Sequence, residues 1–151
     1  MLFRSTIIID GNHEATRKGE TFLDSLRDMV TNPLVEIITE VTVKPEINLT
    51  VVPYCKLKAF DGNANTRYCL THVRGEIKPH VEPEVDLVAK FGRFYKVFAG
   101  DLHDRECSQL NIEYPGSPLT THFYRSPVSF KGVFIYDTDT ESREDVNLNL
   151  P

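Results

Sequence analysis

The chain has 151 residues, of which 40% are hydrophobic and 26% charged, and its formal net charge is −5. That is one domain's worth of polypeptide, long enough to bury about 68–70% of its unfolded surface, and its balance excludes a disordered chain. The acidic excess excludes attraction to nucleic acid by side-chain charge alone, so work on phosphodiesters would need bound cations to supply the positive field.

Three cysteines, Cys55, Cys69 and Cys107, are an odd count without framework spacing, which suits a reducing compartment. Ile7-Ile8-Ile9 is too short for a signal peptide or a membrane span. The expectation is a soluble, cytoplasmic chain with no membrane partner. Asn48-Leu49-Thr50 matches a glycosylation acceptor, read as chance where no secretion signal accompanies it.

Thr6-Ile7-Ile8-Ile9 has the all-apolar, β-branched pattern of a strand buried on both faces. The polar turn Asp10-Gly11-Asn12-His13-Glu14 follows. Residues 21–30 read as a helix with Phe22, Leu23, Leu26 and Val30 on one face, ended by Asn32-Pro33. Strands are predicted at 35–38, 39–43 and 49–52, punctuated by Pro45 and Pro53. The turn cluster Asp61-Gly62-Asn63-Ala64-Asn65 suggests a hairpin between 55–60 and 67–71.

A second helix is predicted from Pro83, with Val85, Val88 and Ala89 at near-helical spacing and Gly92 as its stop. A strand at 94–97 then opens onto Phe98-Ala99-Gly100-Asp101-Leu102-His103. Segment 110–113, the turn Tyr114-Pro115-Gly116-Ser117-Pro118, a strand at 132–136 and an acidic turn and solvated edge over 137–145 complete the chain. Strands interleaved with about two helices indicate an α/β or α+β class. No repeat or second domain is visible.

Three junctions carry candidate metal ligands: Gly11-Asn12-His13-Glu14, Thr71-His72 and Gly100-Asp101-Leu102-His103. Carboxylate, amide oxygen and imidazole suit Zn, Mn or Fe. On an extended backbone Asp101 and His103 would point to one side. Each also has a plain reading: Asn12 as a turn residue with positive φ, His72 as a hydrogen-bonded surface histidine, Asp101 as a cap. His80 and His122 lack such a context and are expected outside any site.

In this order the motifs Gly-Asn-His-Glu, Thr-His and Gly-x-x-His resemble the second half of the calcineurin-like metallophosphoesterase superfamily. Val52-Pro53-Tyr54, Tyr114-Pro115-Gly116-Ser117-Pro118-Leu119 and Lys131-Gly132-Val133 narrow the resemblance to the SbcD-type nuclease subunit of bacteria and phages, in recombination and repair. The resemblance implies part of an αββα sandwich with mixed sheets, and a two-metal, Mn-dependent DNA exo- or endonuclease. Asn12, His72 and Asp101 would hold one ion and His103 the other. His13 would act at the scissile phosphate as general acid or transition-state stabiliser. Partners implied are DNA, an ATPase subunit of the SbcC type, and either a separate N-terminal half or a second copy.

Two departures stand out. Asp101 occupies the place of a family histidine. The family's opening Asp-x-His and Gly-Asp-x-x-Asp motifs have no counterpart in Met1–Gly11, where Asp10 is the only carboxylate. Residues 1–151 are therefore expected to form a single partial nuclease domain, without the N-terminal motifs, the metal-bridging aspartate or the C-terminal capping region. It would be feeble alone. The alternatives are a non-catalytic fragment or regulator that binds DNA or the ATPase partner, and another kind of metallophosphatase.

Overall fold

The computed structural model describes residues 5–16, 19–118 and 131–148. Within them the elements are β1 (Thr6–Ile9), α1 (Leu23–Arg27), β2 (Val35–Ile38), β3 (Thr42–Lys44), β4 (Leu49–Val52), β5 (Tyr68–His72), α2 (Leu87–Phe91), β6 (Lys96–Gly100), β7 (Ile112–Glu113), β8 (Gly132–Asp137) and β9 (Ser142–Asn147). The fold is α/β. A five-stranded sheet has the order β3-β4-β5-β6-β7, while β1 with β2 and β8 with β9 form separate pairs. β3 and β4 are antiparallel; the pairs from β4 to β7, and β1 with β2, are parallel.

Local chemistry sets the register of the large sheet. Asn48 adopts a left-handed φ of 55° after the short turn Pro45–Ile47, a conformation that asparagine tolerates better than most residues. Its side-chain oxygen accepts the Arg67 N–H at 2.7 Å, and its carbonyl accepts the Tyr68 N–H at 3.1 Å. Those bonds start β5 beside β4 with Leu49 opposite Tyr68. Thr71 is buried yet satisfied, because its hydroxyl donates to the Val52 carbonyl at 2.8 Å.

Alternation along the strands divides the two faces. Cys69, Val97 and Ala99 point into a core with Leu57, Phe60, Leu87, Phe91, Phe94, Ile112 and Tyr114. α2 covers this face through Leu87 and Phe91, and its N-terminus is capped by Asp86, whose carboxylate accepts the Ala89 N–H at 2.9 Å. Asn111 donates to the Phe91 and Phe94 carbonyls, satisfying the end of the helix. Each aromatic side chain fully removed from water here stabilises by about 1.5–3 kcal/mol.

The opposite face carries Tyr68 and Phe98, on which the β8–β9 hairpin lies: Phe98 meets Phe134 at 5.6 Å and Tyr136 at 5.1 Å between ring centroids. The hairpin turn is anchored by Tyr95, whose hydroxyl donates to Glu141 at 2.5 Å, and by an Arg67–Glu141 ion pair.

Several expectations change. The apolar β1 is not buried: its residues alternate exposed and half-buried. The helix expected over 21–30 is only five residues long, and of its predicted apolar face Leu23 alone is buried, while Phe22, Leu26 and Val30 are exposed. The strand expected over 39–43 starts at Thr42, because Thr39 is drawn inside and takes a hydrogen bond from Arg27 at 2.8 Å.

The expected 55–71 hairpin does not form. Pro53 leads into a turn at Tyr54–Lys56 that delivers Leu57 and Phe60 to the core, and β5 returns parallel to β4. Pro83 does not start α2, which begins after Asp86. Gly92 does follow its last residue. The strand expected at 94–97 is shifted to Lys96–Gly100. The segment 110–113 pairs only from Ile112, since Leu110 has a φ of 54°. The acidic stretch is a turn and a solvated edge as expected, the edge being β9, which is mostly exposed and pairs with β8 along its length. His122 lies outside the described residues.

Candidate functional site

Parallel strands place their carboxyl ends on one side of a sheet, where loops converge. Here β1 ends at Asp10-Gly11-Asn12, β2 at Thr39, β4 at Pro53-Tyr54-Cys55, β5 at His72 and β6 at Gly100-Asp101. The two parallel units are tied together at these ends. Asp10 is completely buried and accepts the Cys55 N–H at 3.1 Å, across 45 positions in sequence. Burial, with Asp10 adding to it, pushes the Cys55 thiol up to about 12, so that side chain is held as a neutral thiol. The other Asp10 oxygen, Oδ1, is buried without a hydrogen-bond partner.

His72 is the centre of the convergence. Its Nε2 lies 3.2 Å from Asn12 Oδ1 and 3.3 Å from Asp101 Oδ1. Its side chain and that of Asp101 keep 19% and 15% of their exposure, while Asn12 is exposed, so the cluster opens to solvent. Glycines on either side make room for the ring. A Cβ at Gly100 would stand 2.6 Å from His72 Nδ1, and one at Gly11 would stand 2.9 Å from His72 Cε1. Tyr54 meets the ring edge-to-face at 5.7 Å, and its hydroxyl donates to Glu84, which also accepts the Arg74 N–H at 2.6 Å. Burial and the neighbouring Glu84 both raise the Tyr54 phenol above its ordinary value.

Asp101 has a φ of 98°. Such a left-handed conformation costs a non-glycine residue on the order of 1–3 kcal/mol and persists only where its surroundings enforce it. It turns the chain out of β6, so the extended backbone expected to align Asp101 with His103 is not present. His103 is exposed, and its carbonyl accepts the Ser117 N–H at 3.1 Å. His13 lies exposed in the turn over 12–14, His80 exposed in the turn over 78–80. Asn12 lies in the same turn but is not among the positive-φ residues.

The imidazole, amide oxygen and carboxylate are groups of the kind a divalent cation takes. An imidazole proton on Nε2 can serve only one of two converging oxygen acceptors well, leaving the other short of a donor. A cation would take an electron pair from each instead. Ligands about 2.1 Å from one ion and roughly 90–110° apart are themselves separated by about 3.0–3.4 Å, which matches the two distances. Among the described residues no group of three His, Cys, Asp or Glu side chains is placed to hold a metal, so the set depends on the Asn12 amide and leaves positions for water or substrate. Sequence reading missed Gly11, Gly100, Tyr54 and Asp10 as shapers of this site. The available signal was the glycine immediately before each of Asn12 and Asp101.

The chain is 42% identical, over an alignment of 154 residues that takes in 95% of its length, to "Probable exonuclease subunit 1" of Escherichia phage T5. It spans 46% of that protein. No family model matches the chain, and no solved structure matches it. Among the described residues no helix is long and apolar enough to cross a membrane.

Proposed function

We propose that this chain is one part of a metal-dependent DNA exonuclease subunit of the SbcD-like metallophosphoesterase type. The observation that carries the reading is the convergence of Asn12 Oδ1 and Asp101 Oδ1 on His72 Nε2 at the carboxyl ends of parallel strands. The likeness to a phage protein named as an exonuclease subunit supports the choice of nucleic acid over other phosphate esters.

In this reading Asn12, His72 and Asp101 hold a divalent cation, Mn2+ by the family resemblance, and His103 belongs to a second. A bound cation supplies polarisation of a phosphate oxygen and a water of lowered pKa. Asn12 contributes an oxygen that does not titrate, Asp101 a charge that offsets the ion, and His13, exposed on the same turn as Asn12, a proton donor at the phosphate. The acidic chain repels DNA on its own, so the cations also carry the attraction. Further polypeptide, in trans or tethered, completes the site. DNA and an ATPase subunit of the SbcC type are the partners proposed.

Calorimetric Mn2+ titration tests this. His72→Ala should abolish binding, and Gly100→Ala, which drives a methyl group into the His72 ring, should weaken it by about 10–100-fold with the fold intact. His13→Ala should leave affinity within about twofold while removing hydrolysis from the completed enzyme. Wild-type protein that takes up no Mn2+ at millimolar concentration, or uptake that His72→Ala leaves unchanged, sinks the metal reading. The match to less than half of the phage protein favours one second reading, a DNA- or subunit-binding part without catalysis. Mn2+ uptake without cleavage in the completed assembly would select it.

A further inference from the structure

The segment that leaves β5 carries a cation the proposed chemistry does not use. Among the described residues, Arg27, Arg67, Arg93, Arg105 and Arg143 each direct the guanidinium to an oxygen acceptor. Arg74, two positions beyond His72, differs from them: it is exposed, and its guanidinium has no hydrogen bond or ion pair among the described residues. The carboxylate bonded to its backbone is already committed. Glu84 Oε1 accepts the Arg74 N–H at 2.6 Å and Oε2 accepts the Tyr54 hydroxyl at 3.2 Å. The Glu84 N–H in turn donates to the Arg74 carbonyl at 3.2 Å. Both backbone polar groups of Arg74 are thus pinned while its side chain stays free.

The same anchor places Arg74 beside the site. Glu84 reaches from Arg74 to Tyr54, whose ring packs on His72, and the Arg74 charge opposes the rise of the Tyr54 phenol. A guanidinium is a planar, permanently charged fork that fits a phosphate bidentately. A bound cation by itself holds any phosphate ester; a second positive group fixed outside it favours a polynucleotide, which carries a phosphate at every nucleotide. We infer that Arg74 binds a DNA phosphate next to the scissile one and so fixes where the strand lies across the site. The inference rests on the reading that the site acts on DNA, and it names a substrate-binding residue of this chain. Arg74 takes no part in bond cleavage.

The test measures binding of a short single-stranded oligodeoxynucleotide to the full chain by fluorescence anisotropy, at low salt with Mn2+. Arg74→Gln should weaken binding about tenfold and lower the slope of log K against log salt by about 0.7. Its thermal stability should be unchanged and its Mn2+ affinity within about twofold of wild type. Arg74→Lys should restore the salt slope but only part of the affinity, because a point charge replaces the fork. Arg93→Gln, before the end of β6 opposite to Gly100, should change none of these. Oligonucleotides with one neutral methylphosphonate at successive positions locate the contact: one position should weaken wild-type binding and cost the Arg74→Gln chain nothing further. Wild-type protein that binds no DNA, binding that Arg74→Gln leaves unchanged, or losses from the variant and from every methylphosphonate that simply add, overturn the inference. Any of those results beside normal Mn2+ uptake breaks this inference alone. DNA binding that depends on Arg74 in a chain that takes up no Mn2+ breaks the functional reading alone.

Discussion

The two parallel units of this molecule both contain apolar, β-branched strands and are finished to different degrees. In the five-stranded sheet, β4, β5 and β6 are covered on one face by α2 and a closed aromatic core, and β5 and β6 on the other by the β8–β9 hairpin. In the β1–β2 unit, an equally apolar strand and a helix leave most of their apolar residues in water. The candidate site is assembled across the join: His72 and Asp101 come from the finished unit, Asn12 from the open one. The meeting of the three donors therefore depends on the contacts that hold the open unit against the finished one, the Asp10–Cys55 bond among them.

The sharpest test of that contrast compares two phenylalanines. Phe91→Ala, in the finished core and fully buried, should destabilise by about 3–5 kcal/mol in urea unfolding. Phe22→Ala, on the open unit, should change stability by less than about 0.5 kcal/mol. Equal losses would mean that the two units share one core after all.

A smaller effect should follow from cutting the tie between them. Asp10→Ala removes the acceptor of the Cys55 N–H and leaves that half-buried donor unsatisfied, a cost of up to about 1–3 kcal/mol. Hydrogen exchange should quicken at Cys55 and along β1 while the amides of β5 and β6 keep their protection. Uniform loss of protection in both sheets would show the units to be one cooperative block.

The smallest effect is chemical. With its thiol pushed up to about 12, Cys55 should react with iodoacetamide at pH 8 at least about 100-fold more slowly than in the unfolded chain, mapped by mass spectrometry. The unfolded thiol ionises from about 9 upward, so the stabilisation from the neutral folded thiol is full below that pH and is lost as pH rises toward 12. Fast alkylation in the folded protein would place Cys55 outside the join and weaken the case for Asp10 as its tie.

Much of this was legible in the residues themselves. The apolar runs of β4 and β5, the Gly92 stop and the three ligand-bearing junctions are local properties, governed by backbone sterics and side-chain alternation within a few positions. Tertiary structure alone decided the rest. Whether Ile7-Ile8-Ile9 is buried depends on what lies beside it, not on how apolar it is. That Tyr68 starts a strand parallel to Leu49, rather than a hairpin, depends on bonds from Asn48 made 19 and 20 positions away. The Asp10–Cys55 and Asn12–His72 contacts span 45 and 60 positions, and no local pattern encodes a partner at that range. The left-handed turn at Asp101 is of the same kind: an unfavourable local conformation, held only because the folded surroundings over-determine it.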